Sequence, residues 1–263
     1  AAHRAPPAGG APTRRNAGRF ARLLARLRGR EWVVPEDIRE LAVPVLALVF
    51  VKETLPPERR RHFGPRTLWA SYRVLLSDRR YVGLVLTACT AMGCLFAYIS
   101  SATFVFQGLY GMTTQQYALV FAAGAGALTV TSQVNGSLVR TVHPAAVLRV
   151  ALPSMLAIAL ALLIAALVDV GVWAIVGGIV LLMGSVGFVM PNSPSIALAD
   201  HGERAGAAAA LLGAANFVFG ALISPVSGLF GVDSAVPMAA IMVVCAAASW
   251  FFYTVLARPH HIL

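Results

Sequence analysis

The chain has 263 residues, 58% of them hydrophobic and only 12% charged, roughly half the charged share of a soluble domain. Its net charge of +10 is confined to residues 1–80, which hold 17 basic and 7 acidic side chains, while four arginines balance four acids from Tyr81 onward. Such a balance excludes a soluble globular fold, and it makes the basic part a cytoplasmic flank meeting anionic lipid rather than an arm for nucleic acid.

Residues 1–18 are mostly Ala, Pro, Gly and Arg with almost nothing to bury, so a disordered tail is expected. The chain starts at Ala1 and has no signal-peptide pattern before its first span, which fits a fragment of a longer reading frame. Residues 19–52 read as a short helical segment. Within it Phe20, Leu23, Leu24 and Leu27 share one face of an arginine-rich amphipathic helix, packed on another element or lying on a membrane surface. Pro35, followed by Glu36 and Asp37, is a second helix-start signal. Leu41–Val51 is apolar but too short to span a membrane unaided. Residues 53–80 read as a cytoplasmic linker, opened by the Pro56-Pro57 break and closed by an amphipathic stretch ending at Arg79 and Arg80.

From residue 81 to 263 the pattern is that of a six-helix transmembrane bundle. Six apolar segments, Tyr81–Gln107, Gln115–Val139, Ala145–Val168, Val172–Leu198, Ala205–Phe230 and Ala235–Leu256, each have the ~20 residues a helix needs to cross a hydrocarbon core. Loop charge sets their orientation. Arg140, Arg204 and Arg258 lie at the ends that return to the side of residues 1–80, with Arg149 nearby, and the opposite turns carry no Lys or Arg. Both chain ends are therefore expected in the cytoplasm. The cysteines, Cys89, Cys94 and Cys245, all fall inside spans, have neither metal nor disulfide spacing, and read as small packing residues. No cofactor is called for.

Polarity separates the spans. The third and sixth are almost purely apolar and read as lipid-facing. The others carry Ser, Thr, Asn and Gln, which need a neighbour or a wet cavity. Two inner helices and one outer, twice over, form a 3+3 repeat. Gly220, Ser224 and Gly228 at intervals of four, and Gly124, allow close helix approach. The Pro191-Asn192-Ser193-Pro194 stretch is expected to break and kink the fourth span and to free backbone groups that a cavity or neighbour must satisfy.

Two resemblances follow from the motifs. GREWVVPEDIRELAVPVL at 29–46 resembles the lid helices of MoxR-type AAA+ ATPases, but no phosphate-loop motif is present and ATPase activity does not follow. From Glu53 onward, the ordered pieces ETLPPER, LFAYISSATFVFQGLYGMTTQQYALVF, SQVNGSLVR, MPNSPSIALAD and NFVFGALISPVSGLFG resemble the C-terminal half of the bicyclomycin-resistance (Bcr/CflA) family of drug:proton antiporters, within the major facilitator superfamily. That resemblance implies an all-α polytopic membrane protein, half of a transporter working by alternating access in the bacterial plasma membrane. Its partners would be membrane lipid, protons, a small-molecule drug and the missing N-terminal half. The family's proton-coupling carboxylate belongs to that other half and has no counterpart here. The loop after the second span resembles a degenerate copy of a family loop motif, with His143 in place of a glycine, and Arg140 is either a gate contact or a plain orienting charge.

Candidate substrate contacts are the midplane residues of inner spans: Phe96, Tyr98, Ser101, Gln133, Met183, Phe188, Asn216 and Phe217, whose aromatic and Met members offer adaptable surface to an apolar cation or drug. Arg140, Pro191, Asn192 and Pro194 are the gating candidates. Two other readings stay open: a truncated or fused membrane fragment that does not transport, and an ATPase-associated interaction module built on residues 19–46.

Overall fold

The computed structural model describes residues 65–229 and 234–257, all within the unit Phe63–Leu263. The tail at 1–18, the helical segment at 19–52 and the Pro-Pro break lie outside the described residues. Among the described residues all regular structure is helical, and six helices are long and apolar enough to cross a membrane.

A short helix, α1 (Pro65–Ser77), leads into the spans. These are α2 (Arg79–Thr103), α3 (Thr114–Leu138), α4 (Pro144–Leu167), α5 (Val172–Ala199), α6 (Ala205–Leu229) and α7 (Val236–Phe252). α2 winds on as a π-helix through Phe104–Leu109, and α7 through Tyr253–Ala257.

Local chemistry fixes the starts. Asp78 caps α2, its Oδ1 accepting from the backbone N–H of Arg80 at 2.8 Å and of Tyr81 at 3.3 Å. Thr113 and Gln116 form a reciprocal capping box at the head of α3. His143 caps α4 through Nδ1, which accepts from the Ala145 N–H at 3.2 Å, with Pro144 at the first position. Before α5 the chain reverses through Asp169 and Gly171, both at positive φ.

α2 and α5 cross at the centre of the bundle. α2 also packs against α6 and α7, α5 against α3 and α4, and α4 against α7. Pairing α2 with α5, α3 with α6 and α4 with α7 maps this contact pattern onto itself. The bundle is thus two three-helix repeats, and because α2 and α5 start from opposite ends, the repeats are inverted. Each repeat's middle helix packs on the other repeat's first helix: α3 lies on α5, and α6 on α2.

Small residues and hydrogen bonds hold these crossings, since lipid supplies no hydrophobic drive for helix association. Gly83 admits the backbone of Leu256 and Ala257, Gly220 admits the Phe96 ring, and Gly187 admits Thr131 and the backbone of Leu128. Across interfaces, Tyr81 donates to Ala208 O (2.7 Å), Ser193 to Leu84 O (2.8 Å), Ser249 to Thr87 O (2.9 Å) and Tyr253 to Ala145 O (3.0 Å). Ser100 donates to Ser224 at 3.0 Å, so the small-residue row on α6 serves packing against α2.

One expectation is corrected. α5 is not broken at Pro191–Pro194, because the helix continues to Ala199. A proline at 191 frees the carbonyl of Gly187 four residues back, and that oxygen accepts from Ser132 Oγ of α3 at 3.1 Å. A neighbouring helix thus repairs the ladder. All four of α3, α4, α6 and α7 leave most of their surface uncovered within this bundle, the polar α3 and α6 more than the apolar α4 and α7.

Candidate functional site

Among the described residues, four buried side-chain atoms have no hydrogen-bond partner: Arg80 Nε, the Tyr98 hydroxyl, Ser101 Oγ and Asn216 Oδ1. The last three lie on spans, and a buried polar group left without a partner costs about 1–3 kcal/mol. They stand on the two helices, α2 and α6, that pack directly against each other. Groups left in this condition are ready to pair with a bound ligand.

Tyr98 is held firmly. Its ring stacks on Phe121 of α3 with centroids 5.5 Å apart and an interplanar angle of 18°, and Tyr117 braces Phe121 at 6.1 Å. The Tyr117 hydroxyl accepts from Thr103 Oγ1 at 3.2 Å. The tip of Tyr98 borders the bare backbone of Gly124: a β-carbon there would meet the hydroxyl at 3.5 Å and Met183 Cγ at 3.6 Å. Gly124 therefore keeps the space beside the hydroxyl free of its own side chain. Ser101 lies one turn further along α2. Asn216 sits one turn before Gly220, the residue against which the Phe96 ring packs.

The sequence candidates fall into two groups. Tyr98 and Met183 are buried and neighbours, Ser101 and Asn216 are buried, and Phe96 and Phe188 are half-buried. Gln133 and Phe217 are exposed on the flanking helices α3 and α6, Phe217 at 69%. The structure gives Gln133 no hydrogen bond among the described residues, and no described contact brings either residue to the Tyr98 group.

Of the gating candidates, Asn192 is 1% exposed and its Nδ2 donates to Asn135 Oδ1 of α3 at 2.6 Å and to the Phe188 carbonyl at 2.7 Å. It is an interhelical clamp one turn from the Ser132–Gly187 bond. Pro191 is exposed and Pro194 half-buried within the continuous α5. Arg140 is exposed in the α3–α4 loop, and its side chain pairs with no described residue.

Charge is absent from the middle of the bundle. Helices α2–α7 contain no Asp or Glu, and Arg149 of α4 is exposed near its first turn. The described basic side chains all lie toward the end that carries the start of α2. At the opposite end, burial first and the Asp169 carboxylate second hold the Tyr110 phenol above its ordinary pKa. No group of three metal-ligating side chains occurs among the described residues.

Sequence reasoning missed two features, the His143 cap and an ionic cluster. His143 was read as a departure from a loop motif, whereas it caps α4; a His–Pro pair before an apolar run was the available signal. The expected need for a neighbour to satisfy the backbone freed at Pro191 is met by the Ser132–Gly187 bond. A cluster joining Asp78 and Arg80 to Asp200 and His201 had no signal, because about 120 residues separate the partners.

Six membrane-length helices in two inverted three-helix repeats, with unpartnered uncharged polar atoms on α2 and α6, have the architecture of a helical transporter half. Residues 41–225 match the model of the Major Facilitator Superfamily. The chain belongs to that superfamily. Residues 15–54 also match a model described as an AAA lid domain, a similarity that lies outside the described residues. Among curated proteins, the chain is 32% identical over 202 residues to an "Uncharacterized MFS-type transporter YdgK" of Bacillus subtilis, covering 77% of this chain and 50% of the relative. It is 27% identical over 209 residues to a "Bicyclomycin resistance protein homolog" of Haemophilus influenzae, covering 79% and 52%. The chain spans about half the length of the curated relatives it matches.

Proposed function

We propose that the chain is one half of a multidrug efflux transporter that exports small amphipathic drugs by alternating access coupled to protons. A second six-helix half completes it, in a bacterial plasma membrane with both chain ends in the cytoplasm. The observation that carries this reading is the set of unpartnered polar atoms, the Tyr98 hydroxyl, Ser101 Oγ and Asn216 Oδ1, on spans free of acidic side chains. Uncharged unpartnered groups of this kind suit a ligand that offers hydrogen bonds and apolar surface but needs no counter-charge. The match to a bicyclomycin resistance homologue supports drug efflux. The asymmetry of loop arginines supports the orientation.

The test is binding by the full chain in lipid nanodiscs, with bicyclomycin and a panel of small apolar cations as probes. Tyr98→Phe is expected to weaken the best-bound probe about three- to ten-fold, the worth of one hydrogen bond, without lowering the melting temperature, because the hydroxyl has no protein partner to lose. Equal affinity in wild type and Tyr98→Phe overturns the site. The second reading, a truncated or fused membrane fragment that does not transport, rests on the absence of an acidic residue in α2–α7. No binding of any probe by correctly inserted chain decides for it.

A further inference from the structure

The end of the bundle that carries the start of α2 is closed by side chains the transport site does not use. Asp78 has two tasks: Oδ1 caps α2, and Oδ2 lies 3.1 Å from Nε2 of His201, just past the end of α5. The other ring nitrogen, Nδ1, lies 3.1 Å from the carbonyl of Ala197 in the last turn of α5. Arg80 pairs with Asp200 Oδ2 at 2.9 Å, and the ring of Tyr81 meets the His201 ring edge-on with centroids 5.1 Å apart. The His201 side chain is only 10% exposed.

A carbonyl and a carboxylate only accept hydrogen bonds. Both nitrogens of His201 therefore face acceptors, and only the imidazolium donates from both. Either neutral tautomer leaves one lone pair pointed at an oxygen. We infer that His201 is a proton-binding site whose imidazolium form latches the α5–α6 turn onto the first turn of α2. The step is uptake of one proton from the aqueous side onto the unprotonated ring nitrogen, and no other covalent bond changes. Acidification tightens the latch and alkalinisation loosens it.

Of the charged and titratable residues at this end of the bundle, Asp78 and Tyr81 touch the ring itself. α2 with its cap supplies Asp78, Arg79, Arg80 and Tyr81, and the turn after α5 supplies Asp200, Glu203 and Arg204. α1 supplies Tyr72 and Arg73, and the π-helical end of α7 supplies Tyr253; α6 has no charged residue. Arg80 is engaged by Asp200, and Arg79 donates to the Val255 carbonyl of that same α7 extension at 3.2 Å. The Asp78 carboxylate is the acid in contact with the ring. α2 and α5 form the central crossing, so the latch acts on the pair around which the bundle is built. It stands independently of the substrate site.

The experiment uses the full chain in nanodiscs, with ¹⁵N-histidine NMR assigned by His201→Gln and hydrogen exchange read as protection factors over 78–84 and 197–204. Acidification should give the His201 ring the signal of the form with both nitrogens protonated and raise protection of both segments about five- to ten-fold. His201→Gln should abolish the pH response. Asp78→Asn, which keeps a capping side chain but removes the carboxylate, should shrink it at least several-fold while the start of α2 stays protected. A His201 ring that remains one neutral tautomer throughout overturns the inference, as does the same pH response in His201→Gln. If His201→Gln does not fold, the ring signal of the wild type and the exchange of Asp78→Asn still decide.

Discussion

At the α3–α5 crossing, Gly187→Ala should prise the two helices apart. A β-carbon at 187 would lie 2.6 Å from the carbonyl oxygen of Leu128, and Thr131 Oγ1 stands closer still. Thr131 can rotate away, but Leu128 O is backbone and moves only with α3. Ordinary contact begins near 3.4 Å, so α3 must retreat by about 0.8 Å. The Ser132–Gly187 bond, already 3.1 Å, then lengthens beyond useful range, and the 2.6 Å Asn192–Asn135 bond one turn away is stretched. Overpacking costs about 1–3 kcal/mol, and an interhelical hydrogen bond in a membrane about 0.6 kcal/mol on average. A total loss of roughly 2–4 kcal/mol is expected. The assay is reversible unfolding of the full chain in mixed micelles, with Gly126→Ala as control, because nothing lies within 4 Å of a β-carbon at 126. Gly187→Ala unfolding at the wild-type midpoint refutes the close-packed crossing, and so does an equal loss in Gly126→Ala.

Three further outcomes are expected. Asn135→Ala and Asn192→Ala should each destabilise the chain, and the double variant should recover about 0.6–1.7 kcal/mol of the summed losses, measured as a double-mutant cycle in the same unfolding assay; strict additivity would deny the bond. Since Cys89, Cys94 and Cys245 are buried, a cysteine introduced at Arg140 should label from the cytoplasmic side of inverted vesicles and one at Gly111 from the other side, and the reverse pattern would overturn the orientation. Produced as it stands, the chain should insert in the membrane yet confer no drug resistance, because α2–α7 hold no acidic proton carrier; proton-driven export by vesicles containing the chain alone would refute this.

The six spans were legible in the sequence because length and apolarity are local properties, and a helix of ~20 apolar residues has few alternatives to crossing lipid. The start of α2 was read two residues late: Arg79 and Arg80 look like the end of a basic loop, and only the Asp78 cap shows that the helix already includes them. At Pro191–Pro194 the sequence showed that freed backbone groups would need a neighbour or cavity, but which helix supplies the donor, Ser132 of α3, depends on a contact 55 residues away, and with that donor in place the helix runs on unbroken. For the candidate site, the sequence picked out Tyr98, Ser101 and Asn216 as polar or aromatic residues at membrane depth. It had no means of finding that their atoms are buried without partners, since that depends on neighbours far along the chain. Gln133 and Phe217 carry the same kind of side chain and lie exposed, so burial separates them from the other candidates in a way composition does not.

The exchanged packing of the repeats has a consequence for how the chain is made. As α3 leaves the ribosome, Asn135 and Ser132 enter the bilayer 57 and 55 residues ahead of their partners Asn192 and Gly187. Until α5 follows, α3 carries two polar side chains with nothing yet synthesised to receive them, and α4 must be threaded meanwhile. Biogenesis therefore has to hold α3 near the insertion machinery, or let it wait at the bilayer surface, until the second repeat arrives. Any truncation that stops after α4 leaves a helix permanently short of its partner.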